Sequence, residues 1–456
     1  MKDLTQGSVI AHLLHMAAFL AVSMLVQTLY LLADLYWVGH LGKEAIAAVG
    51  VAGNLTMVVL ALTQTLGVGT TALIAQAAGR KEQREAERFF NQSLVMSLCV
   101  GALFGLAGFL SRDIYCESLT ADRVTAELAK SYINWFVPAM ALQFPLVTLS
   151  SALRATGIIK PAVGLQVLSV VLNIILAPLF IFGIGPWPRM GVMGAALATF
   201  LSILAANVLM VLYFERKYEY LRFHPREWGP RMKAWWAMLK VGLPAGAEFA
   251  LLSVYAFVVY AIIRQFGAAA QAGFGVGMRV MQAMFLPVVA LSFAVSPVVG
   301  QNYGGRHAER VRHSVFAAIG LASALMGMLT LVARLFAPIF IRAFSRDPQV
   351  IAFGSEYLSI VSLNFLASGI AFSCSSVFQG LGNTLPPLLS TGSRLLLFAV
   401  PAVLVSRTPG FHIRQVWYLS VASQVVQACF ILLLLRRELG LKLKFEEVPI
   451  AGPAEA

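Results

Sequence analysis

Charge is the first thing this sequence lacks. Ionisable Asp, Glu, Lys and Arg make up 12% of 456 residues, against roughly a quarter in a soluble domain. Hydrophobic residues reach 59% and the mean hydropathy is +0.78, which excludes a water-soluble globule. Ten-residue stretches of alternating apolar and polar side chains are also missing, so a membrane β-barrel does not fit. The four cysteines, Cys99, Cys116, Cys374 and Cys429, form no CxxC pair and are read as packing residues, not a disulfide or metal framework. A GxxxxGK[ST] phosphate loop is absent, which argues against ATP-driven work. The seven histidines lie at helix ends or in loops and make no HExxH spacing. With no cluster of His, Asp or Glu at a membrane face, neither an enzyme nor a resident cofactor or metal is expected.

What the sequence has in abundance is apolar runs of membrane length. A spanning helix needs about 20 mostly apolar residues, and twelve runs qualify, near 16–38, 46–75, 89–110, 131–153, 161–183, 192–214, 241–263, 271–299, 314–341, 356–378, 386–406 and 416–435. The expected fold is an all-α polytopic membrane protein of twelve transmembrane helices. The short polar lead Met1-Lys-Asp-Leu-Thr-Gln enters a run too long for a signal peptide, so the first helix is expected to persist. Lysine and arginine favour the cytoplasmic ends of spans. Placing both termini inside leaves 21 of them in inner segments and 10 in outer ones. The net charge of +13 is thus a signal of topology and of attraction to anionic lipid, not of nucleic acid.

The chain is also written twice. Gln76-Ala-Ala-Gly79 returns as Gln301-Asn-Tyr-Gly304, and Ser150-Ser151 through Arg154, Gly157 and Pro161 returns as Ser375-Ser376 through Gln379, Gly382 and Pro386, always 225 residues on. Six spans per copy is an even number, so both halves enter the membrane in one direction. They form two six-helix bundles related by a pseudo-two-fold axis along the membrane normal. Residues 1–220 are expected to form the N-terminal lobe and 221–456 the C-terminal lobe. A basic segment at 215–240 would be the cytoplasmic linker, either a solvated connector or an amphipathic stretch on the inner leaflet.

Against this apolar background Asp34 stands out, inside the first run in Tyr30-Leu-Leu-Ala-Asp34. A carboxylate at mid-membrane costs on the order of 3 kcal/mol even by insertion scales, so such a residue normally serves an ion path, a polar cavity or a partner. An acid screened from water also exchanges its proton nearer neutral pH than an exposed one, which suits a proton carrier. The competing reading is a structural acid tied to a neighbouring hydroxyl. Tyr30 lies four residues earlier, on the same helix face.

The repeat, the intramembrane acid, the two Gln-x-x-Gly motifs, Arg154-Ala-Thr-Gly157 before Pro161 and Gly242-Leu-Pro244 opening the seventh run together resemble the multidrug and toxic compound extrusion (MATE) family. In detail they are similar to its DinF-like branch. The resemblance spans nearly the whole chain. It implies secondary antiport, in which a cationic or amphipathic drug leaves as H⁺ or Na⁺ enters, from the bacterial inner membrane, with a monomer as the working unit. By the same resemblance Asp34 and Tyr30 match the cation site of the first lobe, Asn173 its polar residue on the fifth helix and Thr199 its hydroxyl on the sixth. The second acid that many branch members carry one turn after Asn173 is here Ala177. This favours H⁺ over Na⁺ as the coupling ion, with Na⁺ left open.

In the second half, Glu248 follows Pro244 by four residues, whereas the NorM-like branch carries its acid about two turns beyond that proline, here at Leu252. That branch's tenth-helix acid falls on Ser368. Glu248 and Arg394 each lie about eight residues into their spans from the inner side, near 12 Å deep. They are therefore expected to form an ion pair with a gating, substrate-attracting or structural role. Tyr30, Tyr36, Gln64, Gln143 and Phe144 are the expected cavity lining for flat cationic substrates. Pro138, Pro145 and Pro178 are the expected bending points. A lipid-linked precursor flippase, or a narrow metabolite exporter of the same superfamily, is the alternative function.

Overall fold

The computed structural model describes residues 1–120 and 122–445, with only the backbone of Leu31. The end of the second lobe expected at 456 lies outside the described residues. Helices form where the apolar runs stand: α1 (Val9–Gly39), α2 (Lys43–Gly79), α3 (Gln83–Leu119), α4 (Arg123–Ala155), α5 (Lys160–Phe182) and α6 (Val192–Lys217) in the first half. The second half holds α7 (Met232–Ile263), α8 (Ala268–Gly304), α9 (Ala308–Arg342), α10 (Pro348–Val361), α11 (Asn364–Gly380), α12 (Leu385–Val405) and α13 (Ile413–Lys442). Eleven of these are long and apolar enough to cross a membrane, and α10 with α11, bent by 52°, makes the twelfth span.

The duplication extends to the backbone. Both ends of α2 map onto those of α8 at a shift of 225 residues. Left-handed residues repeat at the same shift, at Gly42 and Gly267, Gly157 and Gly382, and Gly185 and Gly410. Even two non-glycines follow it, Lys81 at φ 61° and Arg306 at φ 60°. Each closes its helix with a pair of reverse bonds, Glu82 N donating to Ala77 O and His307 N to Asn302 O at 3.0 and 2.9 Å, the Schellman arrangement.

The chain's marked break is not at one of the expected prolines. Helix α4 runs unbroken through Pro138 and Pro145, and α5 through Pro178. The bent span is α10–α11, whose break at Ser362-Leu363 is the repeat position of Pro138. The Ser362 carbonyl there accepts from Thr330 Oγ1 on α9 at 3.1 Å, so a neighbouring hydroxyl meets a backbone acceptor at the break.

The lobes meet along one end only. On α2, burial is nearly continuous from Thr63 to Gly79 and sparse before it; on α8 it is nearly continuous from Val288 to Gly304. Those stretches pack on one another, α2 packs on the start of α7, and the start of α1 packs on α8. The two Gln-x-x-Gly motifs form the contact. Gln76 Nε2 donates across to Gly380 O at 2.9 Å, and its repeat mate Gln301 donates to Ala155 O at 2.8 Å. A Cβ on Gly79 would fall on the Gln301 carbonyl, and one on Gly304 on that of Gln76, which is why glycine closes each motif. The N-terminal segment straps this end. Lys2 N donates to Thr156 O at 2.9 Å, Leu4 N donates to Gln301 Oε1 at 2.9 Å, and the fully buried Leu4 joins the core between the lobes.

The linker is no free connector. Residues 215–217 finish α6 and 232–240 begin α7, and the loop between them is pinned to α3. Asn91 Nδ2 donates to Arg222 O, and Asn91 Oδ1 accepts from His224 N, each at 2.9 Å. Gln92 Nε2 donates to Glu227 O and Gly229 O at 2.6 and 2.9 Å, and Glu87 meets His224 at 3.2 Å.

Candidate functional site

Asp34 faces into the first lobe, buried, and its Oδ1 has no hydrogen-bond partner. Beside it three side chains from three helices converge. Thr199 on α6 donates its hydroxyl back to Ala195 O at 3.1 Å, as threonine in an apolar helix commonly does. Its oxygen then has only lone pairs to offer. It accepts from Asn173 Nδ2 of α5 at 3.1 Å and meets Tyr30 Oη of α1 at 3.1 Å, so the phenol must be the donor there. Both acceptor sites of Thr199 are thereby used. The structure thus brings Asp34, Tyr30, Asn173 and Thr199 together, and the tyrosine bonds Thr199, leaving the acid outside the network. Ala177, where a second acid was looked for, is fully buried in the apolar core. Tyr132 of α4, also buried, lies within the field of the Asp34 charge. No motif marked it, because a tyrosine in a membrane run carries no signal of which neighbour it faces.

The expected cavity lining separates. Tyr36 is 60% exposed on the stripe of Leu25, Leu29 and Leu32, two residues and therefore about 200° around the helix from Asp34. Its ring packs on Trp37 and His40 at 5.1 and 4.8 Å, so it does not share the acid's site. Phe144 is fully buried in the first lobe's core, with its ring 5.6 Å from that of Phe104, and offers no surface to a substrate. Gln64 and Gln143 are half-buried.

In the second lobe the expected ion pair is not formed. Glu248 accepts from Ser375 Oγ at 2.8 Å and from Thr391 Oγ1 at 3.2 Å. Thr391 is backed by Gln427 Nε2 at 3.0 Å, and Gln427 Oε1 by Gln424 Nε2 at 3.0 Å, so every donor in the chain points towards the acid. The Arg394 guanidinium instead stacks over Tyr255, 4.7 Å from the ring centre. Tyr255 lies seven residues beyond Glu248 on α7, about 10 Å further along the axis. Counting residues from the inner ends set the two charges at one depth; in the structure Thr391 stands level with Glu248 and Gly392 beside Leu251, so Arg394 lies further along the axis and hydroxyls meet the acid. Both residues nevertheless line one cavity of about 40 Å³ among α7, α8, α11, α12 and α13. That holds a few waters or a small ionic group, not a drug.

Two intramembrane carboxyl sites, one per lobe, in a duplicated twelve-span bundle closed at one end have counterparts among known proteins. The MatE family model matches residues 20–179 and 244–404, the two repeats. The chain is 26% identical over 375 residues to a FAD transporter of Shewanella oneidensis, covering 81% of this chain and 82% of that one. It is 28% identical to the probable multidrug resistance protein YpnP of Bacillus subtilis, covering 83% and 85%. With the multidrug export protein MepA of Staphylococcus haemolyticus it shares 25% identity, over 95% of each chain. Among solved structures it superposes on a MOP superfamily transporter from Pyrococcus furiosus, described by a reversed polarity of its binding pocket, with a TM-score of 0.89 at 27% identity over 97% and 98% of the chains. An outward-facing MATE family transporter matches with a TM-score of 0.89 at 26% identity over the same shares. The chain belongs to the MatE family, the multidrug and toxic compound extrusion transporters of cell membranes.

Proposed function

We propose that this protein is a secondary antiporter of the DinF-like branch that exports cationic or amphipathic compounds in exchange for H⁺, with Asp34 as the proton carrier. The observation that carries the reading is the Asp34 carboxyl, whose Oδ1 is buried without a hydrogen-bond partner beside a network that is complete without it. An unpartnered buried anion is costly, and a proton or a cationic substrate relieves that cost. The two therefore compete for one site, which is the condition for exchange. Na⁺ is disfavoured because it takes several oxygen ligands, while Thr199 has spent its lone pairs and Ala177 supplies none. Relatives named as multidrug exporters support drug extrusion.

With the termini inside, as the basic residues indicate, the closed end is cytoplasmic and the conformation is open to the outside of the bacterial inner membrane. Protonation of Asp34 from outside then lowers substrate affinity, the drug leaves, and rocking of lobes 1–220 and 221–456 about the clasp opens the inner end. The protein works as a monomer in this scheme. Transport of ethidium in proteoliposomes tests it. Uphill movement under an imposed pH gradient, lost in Asp34→Asn, is expected; movement driven by a Na⁺ gradient alone contradicts H⁺ coupling. A second reading, a metabolite exporter, draws on the FAD transporter relative and on the half-buried intramembrane arginines Arg154 and Arg394.

A further inference from the structure

Arg394 is a guanidinium inside a membrane span with no acidic partner. It is held flat by Tyr255, 4.7 Å away, and that ring is itself fixed. Its hydroxyl lies 2.7 Å from Ser420 Oγ, which also accepts from Asn364 Nδ2 at 3.0 Å. The ring positions the guanidinium, and its Nε is buried with no acceptor. Glu248 makes no ion pair or hydrogen bond with it; its two oxygens accept from Ser375 and Thr391. A buried donor of this kind is costly until an acceptor arrives.

Two further observations show where that acceptor enters. The cavity beside Arg394 has polar walls and an aromatic side at Phe249, Phe293 and Phe372. Phe293 also lies 5.7 Å from the guanidinium carbon of Arg154 on α4, so this aromatic side belongs to the face between the lobes, where a substrate passes. Among the described residues neither arginine pairs with a carboxylate.

We propose that the Arg394 cavity is a subsite for the carboxylate of an aromatic substrate. The group enters the cavity of about 40 Å³ and meets the planar fork of Arg394, which suits a carboxylate's two oxygens better than any point charge does. The ring system, too large for that space, stays outside against Phe249 and Phe293. Glu248 in the same cavity repels a dianion, and a cationic nitrogen carried with the ring outside the cavity offsets its charge at longer range, so the class is an aromatic zwitterion. The inference rests on the export reading and narrows its substrate.

The test compares norfloxacin, which has both groups, with its methyl ester, which lacks the carboxylate, in binding to the purified full-length protein, with ethidium as a third ligand. The wild type should favour norfloxacin over the ester by about tenfold, as for a charge-assisted bidentate contact. That ratio should fall towards one in Arg394→Gln and partly return in Arg394→Lys. A wild type with no preference, or an Arg394→Gln variant that weakens both ligands equally and keeps the ratio, overturns the proposal. Binding of ethidium without norfloxacin sinks the subsite and leaves the export reading standing. If the wild type neither binds nor transports either compound, the export reading falls and the subsite with it.

Discussion

Thr199 is the hinge of the first-lobe site at the scale of single residues. One hydroxyl, turned to its own backbone, presents its lone pairs to Tyr30 and Asn173 and so aligns three helices around Asp34. Thr199→Val keeps the shape but strips the acceptor from two donors, a loss of about 1–3 kcal/mol for each buried group left unpaired. The purified variant should melt below the wild type and Thr199→Ser close to it; equal melting of Thr199→Val and wild type would mean that the network carries no weight. Asp34 was legible in the sequence because a charged group in an apolar run has few reasons to be there, and Asn173 and Thr199 only through the family resemblance. Tyr36, Phe144 and Tyr132 were not, since aromatic side chains suit core, lipid and cavity alike. Arg394 and Glu248 were legible as a depth, but not as a direction around and along the helix.

At the scale of elements, the Gln-x-x-Gly motifs act as a clasp. Gln76 makes one bond across the closed end, to Gly380 O, whereas Gln301 makes two, to Ala155 O and from Leu4 N. Gln301→Ala should therefore open this end more than Gln76→Ala does. At about 1–1.5 kcal/mol for each bond, the shift is roughly ten- to a hundredfold in the population of the opened state. Val241, buried where α7 meets α2, reports it. In a cysteine-free background Val241→Cys should resist a thiol reagent and react faster once Gln301 is alanine. Equal rates would show that the clasp does not hold the lobes. The motifs themselves were visible as repeats, and the twelve spans as hydropathy. Their meeting across the pseudo-two-fold was not visible, because a repeat states which residues are equivalent and not which are in contact. The break in α10–α11 was hidden for a related reason: it is met by Thr330 on a different helix, with no proline to mark it.

Across the whole molecule, duplication gives two lobes of matched backbone with unmatched polar interiors. The first holds an acid without a partner, the second an acid capped by hydroxyls and an arginine without an acid. The second-lobe residues differ from their repeat mates Ser23 and Ser169, so the lobes share a backbone plan and differ in polar chemistry; on the proposed function the first carries the acid for which proton and substrate compete, and the second adds a contact for the substrate's carboxylate. A single acid that either a proton or a substrate can occupy makes their binding exclusive. The direct measurement is proton release from purified protein in weakly buffered detergent when ethidium is added. Wild type is expected to release protons on binding and Asp34→Asn to release none. Equal release by both would contradict Asp34 as the carrier and place the exchange elsewhere in the molecule.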